Sequence, residues 1–203
     1  MPATHDPGGK VRRTVAPDVK SSAVFGGLRN CYRYRLVRSW DSSKRPAMFV
    51  MMNPSTADLL VDDPTVAKCA WYARTWRYGG IYVGNTFAYR ATDKRLLRLV
   101  ADPKGPENEK HLIAMAKAAG IVIFAYGQPG CARLRPCGLA LAKLVVQKAR
   151  IRPYVLRLSK NGTPCHPLYL PNGLKPILWD LEIGNSRIAE ASSNQRGRIP
   201  IAR

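Results

Sequence analysis

An unbroken apolar run, Ala47-Met48-Phe49-Val50-Met51-Met52, stops at Asn53-Pro54-Ser55-Thr56-Ala57-Asp58. Six apolar residues without alternation read as a strand covered on both faces, the kind found inside a parallel sheet. Pro54 has no N–H to give a ladder, so the strand ends before it. Open α/β sheets bind ligands outside the carboxyl ends of their strands. The stretch therefore sets Asn53 and a polar turn where a ligand would lie. A plain strand-to-helix turn, with Asn53 or Ser55 as an Asx-turn or capping residue, accounts for the same letters.

The pattern recurs. Ile81 to Arg90 reads as a second buried strand that also turns polar at an Asn, Asn85. Ile121 to Gly127 is a third, and Ile151 to Leu158 a fourth, which Pro153 places near an edge. Helices are predicted between them. One runs to about Tyr78, with Asp62 or Asp63 as its cap and Pro64 at its first position, and Gly79-Gly80 ends it. Thr92 to Leu99 is a short basic helix or turn. Glu107 to Ala119 is helical, with Leu112, Ile113, Met115 and Ala116 for packing. Cys131 to Lys148 is helical beyond a start broken by Pro136 and Gly138. Strands alternating with helices give an α/β fold, a three-layer sandwich on a mainly parallel sheet. Residues 23–180 form one domain between a flexible N-terminal tail (1–22) and a flexible basic C-terminal tail (181–203).

Lysine and arginine number 33 against 13 acidic residues, a formal charge of +20. Such a field attracts polyanions, and phosphate contacts dominate nucleic-acid affinity. Nucleic acid, DNA above all, is the expected partner, and a monomer the expected state. No basic helix face is paired with a strongly apolar one, which argues against a membrane surface. Cys31 to Trp40 reads as a half-exposed strand in which Tyr32, Tyr34 and Leu36 alternate with Arg33, Arg35 and Val37. Its basic face either tracks phosphates or is the charged edge that blocks aggregation. Arg90, Lys94, Arg95 and Arg98 form a second basic group, a phosphate contact or a solvated face. The five cysteines make no CxxC pair, against a disulfide framework and a standard zinc site. The first residues lack an apolar signal core, so a cytoplasmic protein is expected. Gly127-Gln128-Pro129-Gly130 is not a dinucleotide fingerprint, and no phosphate-binding GxxxxGK[ST] loop occurs.

Asn-Pro-Ser-Thr-Ala-Asp (53–58), Asp-Asp-Pro-Thr (62–65), Asn-Thr-Phe-Ala-Tyr-Arg-Ala-Thr-Asp (85–93), Gly-Pro-Glu-Asn (105–108) and His-Pro-Leu-Tyr-Leu (166–170) resemble a bacterial and phage family of unknown function. The layout is also similar to that of the uracil-DNA glycosylase superfamily. There, a first motif ends a core strand as Asn-Pro-Gly, a middle strand ends in a base-reading Asn, and a late motif reads His-Pro-Ser. Asn53-Pro54-Ser55, Asn85 and His166-Pro167-Leu168 are similar. Ser55 and Leu168 depart from the small residues of those motifs, and no aromatic directly follows the first one. The resemblance implies a glycosylase that flips a damaged or modified base and hydrolyses its N-glycosidic bond. It gives Asn53 the water, Asn85 the base edge and His166 the developing charge on the base, with Asp58, Asp62 or Asp63 as the carboxylate. Phe87, Tyr89 or Tyr126 would stack on the base, beside Ser55. No metal or redox cofactor is required. A non-catalytic reader of an unusual base, and an enzyme acting on free nucleosides or nucleotides, are the alternatives.

Overall fold

A computed structural model describes residues 13–181. In chain order these hold β1 (Arg13–Thr14), β2 (Lys20–Gly26), β3 (Tyr32–Ser39), β4 (Ala47–Met51), β5 (Val61–Asp62), α1 (Pro64–Thr75) and β6 (Gly80–Asn85). Then come α2 (Asn108–Ala118), β7 (Ile121–Phe124), α3 (Arg135–Ala149), β8 (Pro153–Val155) and β9 (Ile177–Leu178). Seven strands form one sheet in the order β2-β3-β6-β4-β7-β8-β9, while β1 and β5 pair separately.

The sheet is mixed rather than mainly parallel. β6, β4, β7 and β8 run parallel, whereas β2, β3 and β9 join antiparallel. Only the four parallel strands are linked by helical crossovers, which a parallel step requires; a short turn joins β2 to β3, and a long segment, residues 156–176, joins β8 to β9. β4 is the switch strand. From it the chain crosses through α1 to β6 on one side, then through α2 to β7 on the other.

All five residues of β4 are buried, and they alternate between two cores. Met48 and Val50 pack with Leu112, Met115, Ala142 and Val145 of α2 and α3. Ala47, Phe49 and Met51 pack with Val66, Cys69 and Tyr72 of α1. Helices therefore cover both faces, which explains why the run shows no polar alternation.

The helix after Asn53 starts as expected but stops earlier. Asp63 is its cap, accepting from Thr65 N and Val66 N at 2.9 Å, and Pro64 fills the first position. The helix ends at Thr75; Arg77 takes the left-handed turn at φ 65°, and Gly80 already belongs to β6. Gly138 does not break α3. A Cβ there would meet the Tyr126 ring at 2.4 Å, so the glycine lets the helix lie against that ring.

The cysteine-to-tryptophan strand is corrected on two points. β3 is no edge, because β2 pairs along one side of it and β6 along the other. Nor is Arg33 on a solvated face. Val24 pairs with Arg35 and Phe25 with Arg33, which leaves Tyr34 as an extra residue in β3. This bulge resets the alternation and brings Arg33 to the face of Leu36 and Arg38, where all three are buried. The tail expected through Ser22 is corrected from Arg13 onward, where the chain enters strands. Arg13–Thr14 pairs with Val61–Asp62, and β2 begins at Lys20. Residues 1–12 of the expected N-terminal tail, and 182–203 of the C-terminal one, lie outside the described residues. Among the described residues no helix is long and apolar enough to cross a membrane.

Candidate functional site

Residues after all four parallel strands meet around a cavity of about 560 Å³. Met52, Asn53 and Ser55 come from the turn after β4, and Ala91 to Lys94 from the segment after β6. Tyr126 to Gln128 follow β7, and Arg157 and Cys165 to His166 follow β8. Asp63, Thr65 and Val66 at the start of α1 close one side, and Arg33 of β3 lines the wall. The cavity thus stands at the carboxyl ends of the sheet beside its switch strand, the usual ligand position in such folds.

Asn53 lines the cavity and is held across it. Its Nδ2 donates to Pro54 O at 3.0 Å and to Ala91 O at 2.6 Å, which leaves Oδ1 as the remaining polar atom of the amide. The turn after β4 is thereby tied to the segment after β6. His166 caps the 3-10 turn Pro167–Tyr169, its Nδ1 accepting from Leu168 N at 3.4 Å. A ring nitrogen that accepts carries no proton, so the neutral ring holds its proton on Nε2. The imidazole also lies 5.7 Å from the Tyr169 ring, which is 80% exposed at the rim.

Two carboxylates line the wall, and neither is Asp58. Asp58 Oδ1 accepts from Leu60 N at 2.8 Å and Val61 N at 3.1 Å, so it folds its own turn away from the cavity. Asp63 lines the cavity while capping α1. Asp93 lines it while accepting from Arg95 N and pairing with the Arg95 guanidinium at 2.9 Å. Asp62 pairs with Arg38 instead.

Arg33 is the most buried cation of the wall, at 2% exposure. Its Nη1 donates to Ala57 O at 2.6 Å, and Nη2 reaches Asn85 Oδ1 at 3.5 Å. Burial lowers its pKa to about 10, against the pull of the Asp63 carboxylate, so it stays cationic at neutral pH. Lys94 and Arg157 line the cavity from exposed positions. Tyr126 is buried, which pushes its phenol up and keeps it a neutral donor.

Several expected site residues stand elsewhere. Asn85 does not line the cavity; it is 1% exposed and lies behind Arg33, where its backbone oxygen accepts from Asn108 Nδ2 at 2.9 Å. The strand ends deeper than the cavity floor, so the residue that closes it is covered. Phe87 packs with Leu97 and Leu134 in a small core of its own. Tyr89 packs edge-on against Tyr32, 5.9 Å away. Of the aromatics considered for stacking, only Tyr126 lines the wall. Arg35 lies on β3 and does not line the cavity, while Arg90 donates to Asn30 O and covers the Phe25 ring. Arg95 is exposed beside Asp93. Arg157, Thr65, Thr92, Gln128 and Tyr169 also line the cavity, though the sequence assigns them no role in a site. Arg157 did carry a signal, since it lies near the end of Ile151 to Leu158, which reads as a strand.

Among the described residues, no three His, Cys, Asp or Glu side chains gather closely enough to hold a metal ion.

Residues 33–168 match DUF1643, a protein family of unknown function, and the chain belongs to that family. No curated protein and no solved structure matches it.

Proposed function

We propose that this family member draws one nucleotide of a DNA strand into the cavity and hydrolyses its N-glycosidic bond. The observation that carries the reading is that Asn53 and His166, far apart in the chain, line one cavity at the carboxyl ends of the parallel strands. The order of motifs, similar to that of the uracil-DNA glycosylase superfamily, supports it. A cavity of about 560 Å³ falls in the range that holds a nucleoside-sized group.

In this reading Asn53 Oδ1 positions the attacking water, and His166 Nε2–H donates to the departing base. Pro167 fixes the ring by setting the backbone beside it. Of Asp58, Asp62 and Asp63, the carboxylate offered to the chemistry is Asp63, which lines the cavity. Tyr126, one of the three aromatics expected, and Tyr169 are the aromatic faces for the base. Lys94 and Arg157 meet the flanking phosphates, aided by the charge of +20. The chemistry calls for no metal or redox group.

One observation favours the second reading, a non-catalytic reader of an unusual base. Both wall carboxylates already accept structural hydrogen bonds, which weakens either as a base toward water. An enzyme for free nucleotides would have little use for so broad a positive field.

Single- and double-stranded oligonucleotides carrying uracil, hypoxanthine and other modified bases test the proposal, with alkali revealing abasic sites. Strand cleavage that disappears in Asn53→Ala and His166→Ala is the expected result. Tight, salt-sensitive binding without abasic sites on any substrate would leave the reader.

A further inference from the structure

We propose that the turn between β2 and β3 grips the DNA strand beside the cavity, with Arg29 on a phosphate and Leu28 on the neighbouring sugars. The inference rests on the DNA partner of the reading above and not on its glycosidic step.

Topology places the turn there. β3 runs antiparallel to β6, so it begins at the end where β6 finishes. Tyr32 stands opposite Tyr89, and Arg90 N donates to Cys31 O at 2.9 Å. Ala91, the next residue, already lines the cavity, as does Arg33, two residues beyond Cys31. The turn therefore projects from the same end of the sheet as the cavity, on its flank.

The backbone of the turn breaks a local rule. Cys31 N donates to Leu28 O at 3.2 Å, and the two central residues, Arg29 and Asn30, have φ of 55° and 56°. This is type I′ geometry, whose central positions favour Asn and Gly. Asn30 suits it. Arg29 does not, because its Cβ crowds the backbone in the left-handed region. A residue held there against its preference points to a use for its side chain. Arg29 is exposed, and it joins no ion pair among the described residues. Leu28 beside it is 85% exposed, the most exposed large hydrophobic residue described.

The support beneath the tip is closely packed. A Cβ on Gly27 would meet Cys31 Sγ at 2.6 Å and the Tyr32 ring at 2.7 Å. Tyr32 Oη donates to Asp102 O at 2.9 Å, and Arg90 Nη1 donates to Asn30 O at 3.2 Å. A cation and an apolar side chain on a fixed support match a phosphate and the sugar next to it, the contacts that set a protein's register on DNA. The charge of +20 brings such a polyanion to this surface.

Binding of a single-stranded oligonucleotide of about 20 nucleotides, followed across a salt series, tests this. Arg29→Gly should lower affinity about tenfold near ~0.1 M salt and reduce the slope of log affinity against log salt by about 1. The same variant should melt close to or above wild type, because glycine takes the left-handed turn freely. Arg29→Lys should restore the slope. Leu28→Ser should weaken binding about fivefold with the slope unchanged. A free deoxynucleotide, which reaches only the cavity, should bind every variant as it binds the wild type.

Unchanged affinity and slope in Arg29→Gly overturn the inference. So does an equal loss on the free nucleotide, which would put the effect in the cavity. DNA binding that shows these losses without base release upholds the grip and sinks the glycosidic reading. Base release with no effect of either tip variant does the reverse. A wild type that binds no DNA overturns both.

Discussion

Arg38 Nη2 lies 2.7 Å from Asp62 Oδ1, with the arginine side chain 1% exposed and the aspartate 16%. The same guanidinium donates to Ser21 Oγ at 2.7 Å, Asp58 O at 2.6 Å and Val61 O at 3.2 Å. One side chain of β3 thus ties β2 to the segment that delivers Asp63 to the cavity. Removing one partner of a buried pair leaves the other charge and several carbonyls unmatched. Arg38→Met should cost about 3 kcal/mol of stability. Asp62→Asn, which keeps an acceptor, should cost about 1 kcal/mol. Urea unfolding of both variants checks the order; equal losses would mean that the charge pair, not the carbonyl contacts, holds this segment.

Asp63 has two duties that a pair of variants separates. Asp63→Ala removes the α1 cap and should cost about 1 kcal/mol, read from thermal melts. Asp63→Asn keeps an oxygen for Thr65 N and Val66 N and should melt close to wild type. If Asp63→Asn is stable yet loses base release, the carboxylate takes part in the chemistry. If it keeps full activity, the residue serves the helix alone.

Gly138 controls the shape of the cavity through Tyr126. A methyl group at 138 would meet the ring at 2.4 to 2.7 Å, and the ring lines the wall. Gly138→Ala should therefore destabilise the fold by about 1–3 kcal/mol. It should also weaken ligand binding more than its distance from the cavity implies. Calorimetry beside a melt distinguishes the two effects.

Salt dependence measures the phosphate contacts. Lys94 and Arg157 are exposed cations on the cavity wall. Replacing both by Ala should reduce the slope of log affinity for DNA against log salt by roughly 2. An unchanged slope would move the phosphate path to another face.

His111 gives the pH dependence a sign. Its ring stacks on Tyr34 at 5.3 Å, and burial lowers its pKa below 6.5, against Glu107, with Arg35 and Lys110 pushing the same way as burial. The folded protein therefore takes up this proton less readily than the unfolded chain does. Stability is full above the unfolded value and falls as pH drops below about 6.5, levelling once the folded ring is protonated too. His111→Gln should flatten that limb of a stability–pH curve. An unchanged curve would assign the limb to other groups.

Much of the fold was legible because local physics fixed it. The apolar run 47–52 required cover on both faces, and it has α1 on one side and α2 with α3 on the other. Pro64 after Asp63 announced the start of α1, because proline suits the first turn and an aspartate accepts its free N–H groups. That Asn53 would stand at a strand's carboxyl end followed from Pro54 ending the ladder.

The sequence by itself determined the four parallel strands and the helices between them, and that Asn53 follows a buried strand, since those depend on residues close in the chain; β1, β2, β5 and β9 carried no such signal. Tertiary structure alone decided what meets around the cavity. Asn85 and Asn53 both stand at the ends of neighbouring strands, yet only Asn53 lines the wall, because Asn85 pairs in register with Met51 while Asn53 lies two residues beyond it. Arg33 read as a surface cation until one extra residue in β3, set by its pairing with β2, turned it inward. A shift of one residue in a ladder moves a side chain to the opposite face, and no local pattern records it.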